Sequence, residues 1–306
     1  MQELVASVDL GGTNLRLALV NKSGQVIEKI DKLTESRLGP ESLCSRISLM
    51  LEQALVRRSI KAKDLLCMGI GSPGPLNRKE RKILQTPHFP GFENYPLGEK
   101  VEALCGVKVF LDNDANCAAL GEKMFGAAKG KENFVLLTFG TGIGGGVFIN
   151  GKLIYGKSDG AGELGHIQLY PDGDKCPCGR QGCFEQYCSA QSMTRRGSKA
   201  LGRELKLPEL FVECESGNQK AVQCLEEVSK DIARVLGDLV NIFEPEMIVL
   251  GGGAFSTGGG PLLPLIEKHL KDEAFKSSLE NLKVCSSELK GNAGILGAAA
   301  MALGQI

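Results

Sequence analysis

One arrangement occurs twice in this chain, and it limits the possible folds more than any other feature. A strand-like run at Leu4–Val8 leads into the glycine loop DLGGTN, and a second strand and a turn follow. The same order returns at Phe134–Phe139, which leads into FGTGIGGG, then Val147–Ile149 and the turn Asn150-Gly151. Short runs of this composition separated by glycine predict strands joined as hairpins. The recurrence therefore predicts two similar halves facing each other across a cleft.

The remaining segments alternate between helical and strand-like patterns. A helical spacing of apolar residues covers 41–59 and most of 190–243, where one long apolar stripe ends before Pro245. Further buried strands are predicted at Leu65–Ile70, Val107–Leu111 and Met247–Leu250, and a small-residue helix at Ala293–Leu303. This alternation predicts an α/β fold class built in layers. No linker rich in Ser, Pro or charge separates the halves, so we expect two intimately joined lobes.

Composition excludes several classes of protein. Lys plus Arg and Asp plus Glu number 36 each among 306 residues, so no net field favours nucleic acid or an anionic membrane. The start of the chain lacks the pattern of a secretory signal, and no apolar run is long enough to span a bilayer. Most of the 11 cysteines stand alone in apolar contexts, which is typical of reduced thiols in a cytoplasmic protein.

Three predicted strands run directly into glycine-rich loops at 9–14, 139–146 and 250–255. Glycine lets successive backbone N–H groups approach a phosphate, and Asp9 just before the first loop suits a magnesium ion beside that phosphate. A single loop of this kind is more often an ordinary turn, and none matches the Walker A pattern. Three together favour a bound nucleotide polyphosphate.

Four polar residues follow the strand Val107–Leu111, in the segment Asp112-Asn113-Asp114-Ala115-Asn116. One of them is expected to cap the next helix. The others lie at the carboxyl edge of a buried strand, where α/β proteins place ligands. A carboxylate there suits the base that takes a proton from a substrate hydroxyl in phosphoryl transfer.

A metal site is predicted in the irregular insert at 171–188. Cys176, Cys178 and Cys183 supply three sulfurs, and His166 supplies a nitrogen, which is the ligand set of a closed tetrahedral zinc site. A disulfide or free surface thiols are the alternatives. A four-ligand zinc leaves no position for water, so we expect a structural Zn²⁺ that fixes the loop and orients His166.

Taken together, these motifs resemble the ROK family of bacterial sugar kinases and repressors, in the actin/hexokinase-like ATPase superfamily. The resemblance runs nearly end to end, and its segments are DLGGT at 9–13, GIGSPG at 69–74, NDAN at 113–116, GTGIGGG at 140–146, GELGH at 162–166 and CxCGxxGCxE at 176–185.

The resemblance implies two RNase H-like lobes around a central cleft that holds ATP, Mg²⁺ and a sugar. Residues 1–115 together with about 293–306 would form the small lobe, and residues 116–292 the large lobe with the zinc insert. It implies that Asp114 is the general base for the sugar 6-hydroxyl, and that Asn113, Glu163, His166 and Glu185 bind other sugar hydroxyls. The residues implied to bind ATP are Asp9, Gly11, Gly12, Thr13, Asn14, Gly140, Thr141, Gly142, Ile143, Gly144, Gly251, Gly252 and Gly253. A homodimer is also implied.

The substrate is expected to be glucose, because Glu163, His166 and Glu185 suit an aldohexose with free hydroxyls. N-acetylmannosamine, N-acetylglucosamine, allose and fructose remain alternatives in the same class. The family loop near the cleft mouth departs from its usual sequence at His88 and Phe92, which bears on sugar preference. The repressor members of the family carry a helix-turn-helix domain, and the first strand begins here near residue 4, so a regulator is disfavoured.

Overall fold

The computed structural model describes residues 3–85, 89–256 and 259–306. By packing, they form two compact units. Unit 1 holds the chain up to residue 129 together with 155–161 and 292–306, and unit 2 holds 130–154 and 162–291. The predicted domains differ from these units at 116–129 and 155–161, and they stay a prediction. Within the described ranges, every helix is too short or too polar to cross a membrane.

Unit 1 contains a five-stranded sheet and a two-stranded ribbon. The sheet strands are β1 Leu4–Leu10, β2 Asn14–Asn21, β3 Val26–Leu33, β4 Leu65–Ser72 and β7 Val109–Asn113, and the ribbon strands are β5 Leu76–Asn77 and β6 Lys82–Ile83. The order in the sheet is β3-β2-β1-β4-β7. The first three strands form an antiparallel meander, which confirms the predicted hairpins, while β4 and β7 run parallel to β1.

Among the described residues of unit 1, four helices cover the sheet: α1 Pro40–Arg58, α2 Leu97–Cys105, α3 Asp114–Phe125 and α10 Ala293–Leu303. The last has the predicted bounds, and it packs against α3, β1 and β4. Small residues allow a very close approach there, since a Cβ on Gly69 of β4 would lie 2.0 Å from the Ala298 carbonyl oxygen of α10. The same packing explains why the residues of α3 group with unit 1.

Unit 2 repeats the strand pattern of unit 1. Its strands are β8 Phe134–Phe139, β9 Ile143–Ile149, β10 Lys152–Leu153, β11 Met247–Gly251 and β12 Lys283–Ser286. They lie in the order β10-β9-β8-β11-β12, again with three antiparallel strands followed by two parallel ones. The repeat read from the sequence is therefore confirmed.

The helices of unit 2 are α4 Glu185–Cys188, α5 Ala190–Leu201, α6 Leu207–Glu215, α7 Gln219–Phe243, α8 Leu262–Leu270 and α9 Lys276–Leu279. Single 3-10 turns lie at Ser36–Leu38, Ala62–Asp64, Leu164–His166 and Lys290–Asn292. The predicted apolar stripe of α7 is buried in the unit 2 core, and the helix ends where Glu244 adopts a left-handed conformation before Pro245.

Candidate active site and metal centre

The carboxyl ends of three parallel strands meet at one edge of the unit 1 sheet. Asp9 of β1 lies opposite Gly71 of β4, and Gly71 lies opposite Asp112 of β7. Two acidic segments that are about a hundred residues apart in sequence are thus brought to the same edge. This edge is where ligands bind in open α/β sheets.

Asp9 is held between a cation and the first turn of a helix. Its Oδ2 lies 3.3 Å from Nη1 of Arg16, and its side chain is 18% exposed. A Cβ on Gly294, in the first turn of α10, would lie 2.4 Å from the Asp9 Cγ. Burial raises the pKa of Asp9, and the Arg16 guanidinium offsets this only in part.

The polar residues at the end of β7 lie at the start of helix α3. Asn113 is the N-cap of α3, and its side chain accepts hydrogen bonds from the N–H groups of Ala115 and Asn116. This confirms the predicted cap and leaves the Asn113 amide nitrogen as a donor. Asp114 begins the helix half-buried, and one of its oxygens accepts the N–H of Ala115 at 2.8 Å.

Asp112 is completely buried and lies in a network that the sequence did not reveal. Its carboxylate accepts hydrogen bonds from Nε of Arg78 at 2.8 Å and from the Tyr155 hydroxyl at 2.9 Å. The guanidinium of Arg78 also stacks 3.5 Å from the centre of the Tyr155 ring. Arg78 and Tyr155 stand 34 and 43 residues from Asp112, and neither belongs to a periodic pattern.

The first glycine loop joins β1 to β2. The Gly11 N–H closes the loop onto the Asn14 carbonyl at 2.9 Å, and Thr34 anchors it through its hydroxyl to the Gly11 carbonyl at 2.6 Å. Gly12 and Thr13 are exposed. Asn14 is the first residue of β2, so the loop is shorter than predicted.

The second glycine loop joins β8 to β9 in unit 2. It spans only residues 140–142, where the Gly140 N–H donates to the Gly142 carbonyl at 2.9 Å, and Thr141 is exposed. The prediction that Gly144–Gly146 belong to the loop is wrong, because β9 begins at Ile143. Glycine occurs within the strand because a Cβ on Gly145 would lie 2.6 Å from the Gly162 carbonyl oxygen.

The third glycine loop folds over the end of β8. Gly251 ends β11, and Gly252 has a φ of +79°, where its absent Cβ would lie 2.5 Å from the Phe139 nitrogen. Gly252 and Gly253 are exposed. Only glycine fits this turn without strain.

His166, Cys176, Cys178 and Cys183 come together in unit 2, with their four ligand atoms within 4.8 Å of one another. The His166 Nδ1 lies 3.7 Å from the Cys176 sulfur, and the Cys178 and Cys183 sulfurs are 3.7 Å apart. Ligands about 2.0–2.3 Å from a tetrahedral zinc ion are separated by roughly 3.3–3.8 Å. The donor set and these distances therefore fit zinc.

Of the three cysteines in the cluster, only Cys178 has a lowered pKa, because burial raises the pKa of Cys176 and of Cys183. Although burial opposes the change, the Arg180 N–H and the thiols of Cys176 and Cys183 lower the pKa of Cys178. The Gln186 amide donates to the Cys176 sulfur at 3.6 Å. Such outer donors commonly support metal ligands.

Glu163 and Glu185 flank His166 on its two sides. The His166 Nε2 lies 4.0 Å from Oε2 of Glu163, which precedes the 3-10 turn Leu164–His166. Glu185 Oε1 lies 3.2 Å from the Cys176 sulfur, and its Oε2 accepts the Ile143 N–H at 3.4 Å. Glu185 thus connects the cysteine cluster to the end of the second glycine loop.

The departures noted near residue 90 have different outcomes. Phe92 is completely buried in the unit 1 core, where its ring packs 5.3 Å from Phe89 and 5.5 Å from Tyr95. Its side chain is therefore part of that core, and the bearing of this position on sugar preference stays a prediction. His88 lies outside the described residues.

A sequence profile of the ROK family matches residues 5–305. This chain belongs to the ROK family. The glucokinase of Thermotoga maritima is 37% identical over 96% of this chain and 95% of that protein. Solved structures that share the fold of this ROK chain include two sugar kinases of the family. The ROK hexokinase of Thermus thermophilus superposes with a TM-score of 0.81 at 32% identity, covering 99% of this chain and 98% of that one. The ROK glucokinase of Streptomyces griseus, solved with glucose and AMPPNP, superposes with a TM-score of 0.86 at 29% identity, covering 98% and 99%. The predicted α/β fold, of the actin-like ATPase type, is thereby confirmed.

Proposed function

We propose that this chain is an ATP-dependent hexose 6-kinase whose substrate is glucose. The observation that carries the proposal is the alignment of Asp9 with the segment Asp112-Asn113-Asp114 at one sheet edge of a ROK family member. The glucokinase relatives support phosphoryl transfer to glucose.

Asp114 is proposed as the general base. Its carboxylate takes the proton of the sugar 6-hydroxyl as that oxygen attacks the γ-phosphorus. The new O–P bond forms while the bond between the γ-phosphorus and the β,γ-bridging oxygen breaks, and ADP leaves with the electron pair. The cap geometry supports this role, because a helix start holds the base in one place.

The sugar is proposed to bind through the Asn113 amide nitrogen, Glu163, His166 and Glu185. Asn113 has its oxygen occupied by the helix cap, so it acts as a donor to a hydroxyl. His166 presents Nε2 to the sugar when Nδ1 binds the metal. A pair of carboxylates beside a histidine offers hydrogen-bond acceptors for hydroxyl groups. Because the sugar is neutral, the carboxylates do not repel it.

ATP is proposed to lie along the three glycine loops. The phosphates would lie against the backbone of two loops, at Gly12–Asn14 and at Thr141–Gly144. The third loop, Gly251–Gly253, would approach the adenosine. Mg²⁺ bound with the nucleotide would neutralise charge on the β- and γ-phosphates. Asp9 would hold that ion or its water ligands, which its exposed fraction of 18% permits.

We further propose that the His166–Cys176–Cys178–Cys183 cluster binds one structural zinc ion. Four protein ligands leave no open position, so the metal would hold the insert and the ring of His166 in place. The family resemblance also leads us to propose a homodimer, which analytical ultracentrifugation would test.

The experiment is a coupled assay of ADP release with Mg-ATP and glucose, N-acetylmannosamine, N-acetylglucosamine, fructose or allose. We expect the highest kcat/KM with glucose. A preference for an N-acetylated sugar would overturn the substrate assignment while keeping the kinase. No turnover with any sugar, from folded protein containing zinc, would overturn the proposed function.

A further inference from the structure

The buried carboxylate of Asp112 has all of its acceptor positions occupied. One oxygen accepts the Asn113 N–H at 2.7 Å and the Asn116 side-chain amide at 3.0 Å. The other accepts Arg78 and Tyr155. Four donors match the roughly four lone-pair positions of an ionised carboxylate, so the group has one orientation with no alternative.

Asp112 thereby fixes the turn that carries the proposed base. Its two contacts on Asn113 and Asn116 span the start of α3, and Asp114 lies between those residues. Asn116 is itself only 2% exposed. A shift of the Asp112 carboxylate would therefore move the helix start, and Asp114 with it.

Arg78 and Tyr155 hold the other side of that carboxylate. The Arg78 guanidinium bonds Asp112 and stacks on the Tyr155 ring, so the three side chains support one another. Tyr155 opens the segment 155–161, and Asp159 of that segment accepts the backbone N–H of Arg78 at 3.1 Å. The chain continues from this segment into Gly162 and Glu163.

We propose that Arg78 and Tyr155 are positioning residues for phosphoryl transfer, acting through Asp112 on the placement of Asp114. This rests on the proposed function. The side chain of Asp112 does not contact substrate directly, because it is completely buried. The network acts on the geometry of the base, so its loss lowers kcat more than it changes the KM for sugar.

The test compares Arg78→Met and Tyr155→Phe with Arg81→Met. Arg81 is a matched control, since its side chain is 22% exposed against 21% for Arg78, and it forms an ion pair with Glu102 in the same unit. Tyr155→Phe removes a single oxygen atom, which keeps the test informative if Arg78→Met does not fold. Circular dichroism and melting curves establish the folded fraction of each variant, and kinetics are measured well below the melting temperatures.

We expect Arg78→Met and Tyr155→Phe to lower kcat about tenfold or more, with the glucose KM changed less than about threefold. Arg81→Met should lower the melting temperature and keep kcat within about twofold. If Arg78→Met and Tyr155→Phe had the same kcat as the control Arg81→Met, the inference would be overturned. The proposed kinase function would still stand in that case, because it depends on turnover by the wild-type enzyme. A raised KM with unchanged kcat would overturn it too, and an inactive wild-type enzyme would overturn both proposals.

Discussion

Gly294 places a helix directly against Asp9, so replacing it by alanine tests the role of that carboxylate. A Cβ at Gly294 would lie 2.5 and 2.6 Å from the two carboxylate oxygens. Ordinary van der Waals contact begins near 3.4 Å, so the carboxylate must move by about 1 Å. Misplacement of a reacting group by 1 Å can cost roughly 100-fold in rate.

We therefore expect Gly294→Ala to lower kcat/KM for Mg-ATP about 10- to 100-fold, or about 1.4–2.7 kcal/mol in transition-state stabilisation. The glucose KM should change little, because Asp9 is assigned to the nucleotide. The coupled ADP assay measures both constants. Gly304→Ala is the control, since it lies at the exposed end of the same helix and its new Cβ would make only ordinary contacts at 3.5 Å. If Gly294→Ala kept kcat/KM for Mg-ATP within twofold of the wild-type value, the assignment of Asp9 would be wrong.

Two further variants test the metal centre and the charge on Asp9. Loss of a residue that hydrogen-bonds to a metal ligand weakens metal binding roughly 10- to 100-fold. Cys178→Ser removes a ligand itself, so it should weaken zinc binding by more than that and lower the melting temperature. Cys214→Ser, a partly exposed thiol on α6, is the control, and unchanged zinc content by mass spectrometry would refute the ligand set. Because burial raises the pKa of Asp9, the folded protein binds that proton more tightly than the unfolded chain, so this group favours folding at acidic pH and opposes it as pH rises through the raised pKa. Asp9→Asn should then raise the melting temperature at neutral pH while turnover falls, and a lower melting temperature would contradict this reasoning.

The sequence predicted the acidic sheet edge because local signals were enough. The predicted strands Leu4–Val8 and Val107–Leu111 are visible as apolar runs that end just before Asp9 and Asp112, and parallel strands align their carboxyl ends by geometry. The cysteine spacing likewise indicated the cluster with His166, and the four side chains lie together in unit 2. These features depend on short stretches of chain.

Features that depend on contacts distant in sequence were not predicted. The association of Arg78 and Tyr155 with Asp112 has no periodic signal. Arg78 lies in the turn after β5, and an arginine in a turn is normally a solvated side chain. Gly144–Gly146 was predicted as loop because glycine weakens strands. The strand persists there since Gly145 packs against Gly162, a contact that no local pattern encodes.

Asp114→Asn replaces the proposed base of the hexose kinase by an amide of nearly the same shape. Turnover is measured by ADP release, and glucose binding by calorimetry on the same preparation. We expect a loss of about 100- to 10,000-fold in kcat with glucose affinity nearly unchanged, because the amide keeps the shape and cannot take the proton. Turnover close to that of the wild-type enzyme would remove Asp114 from the mechanism.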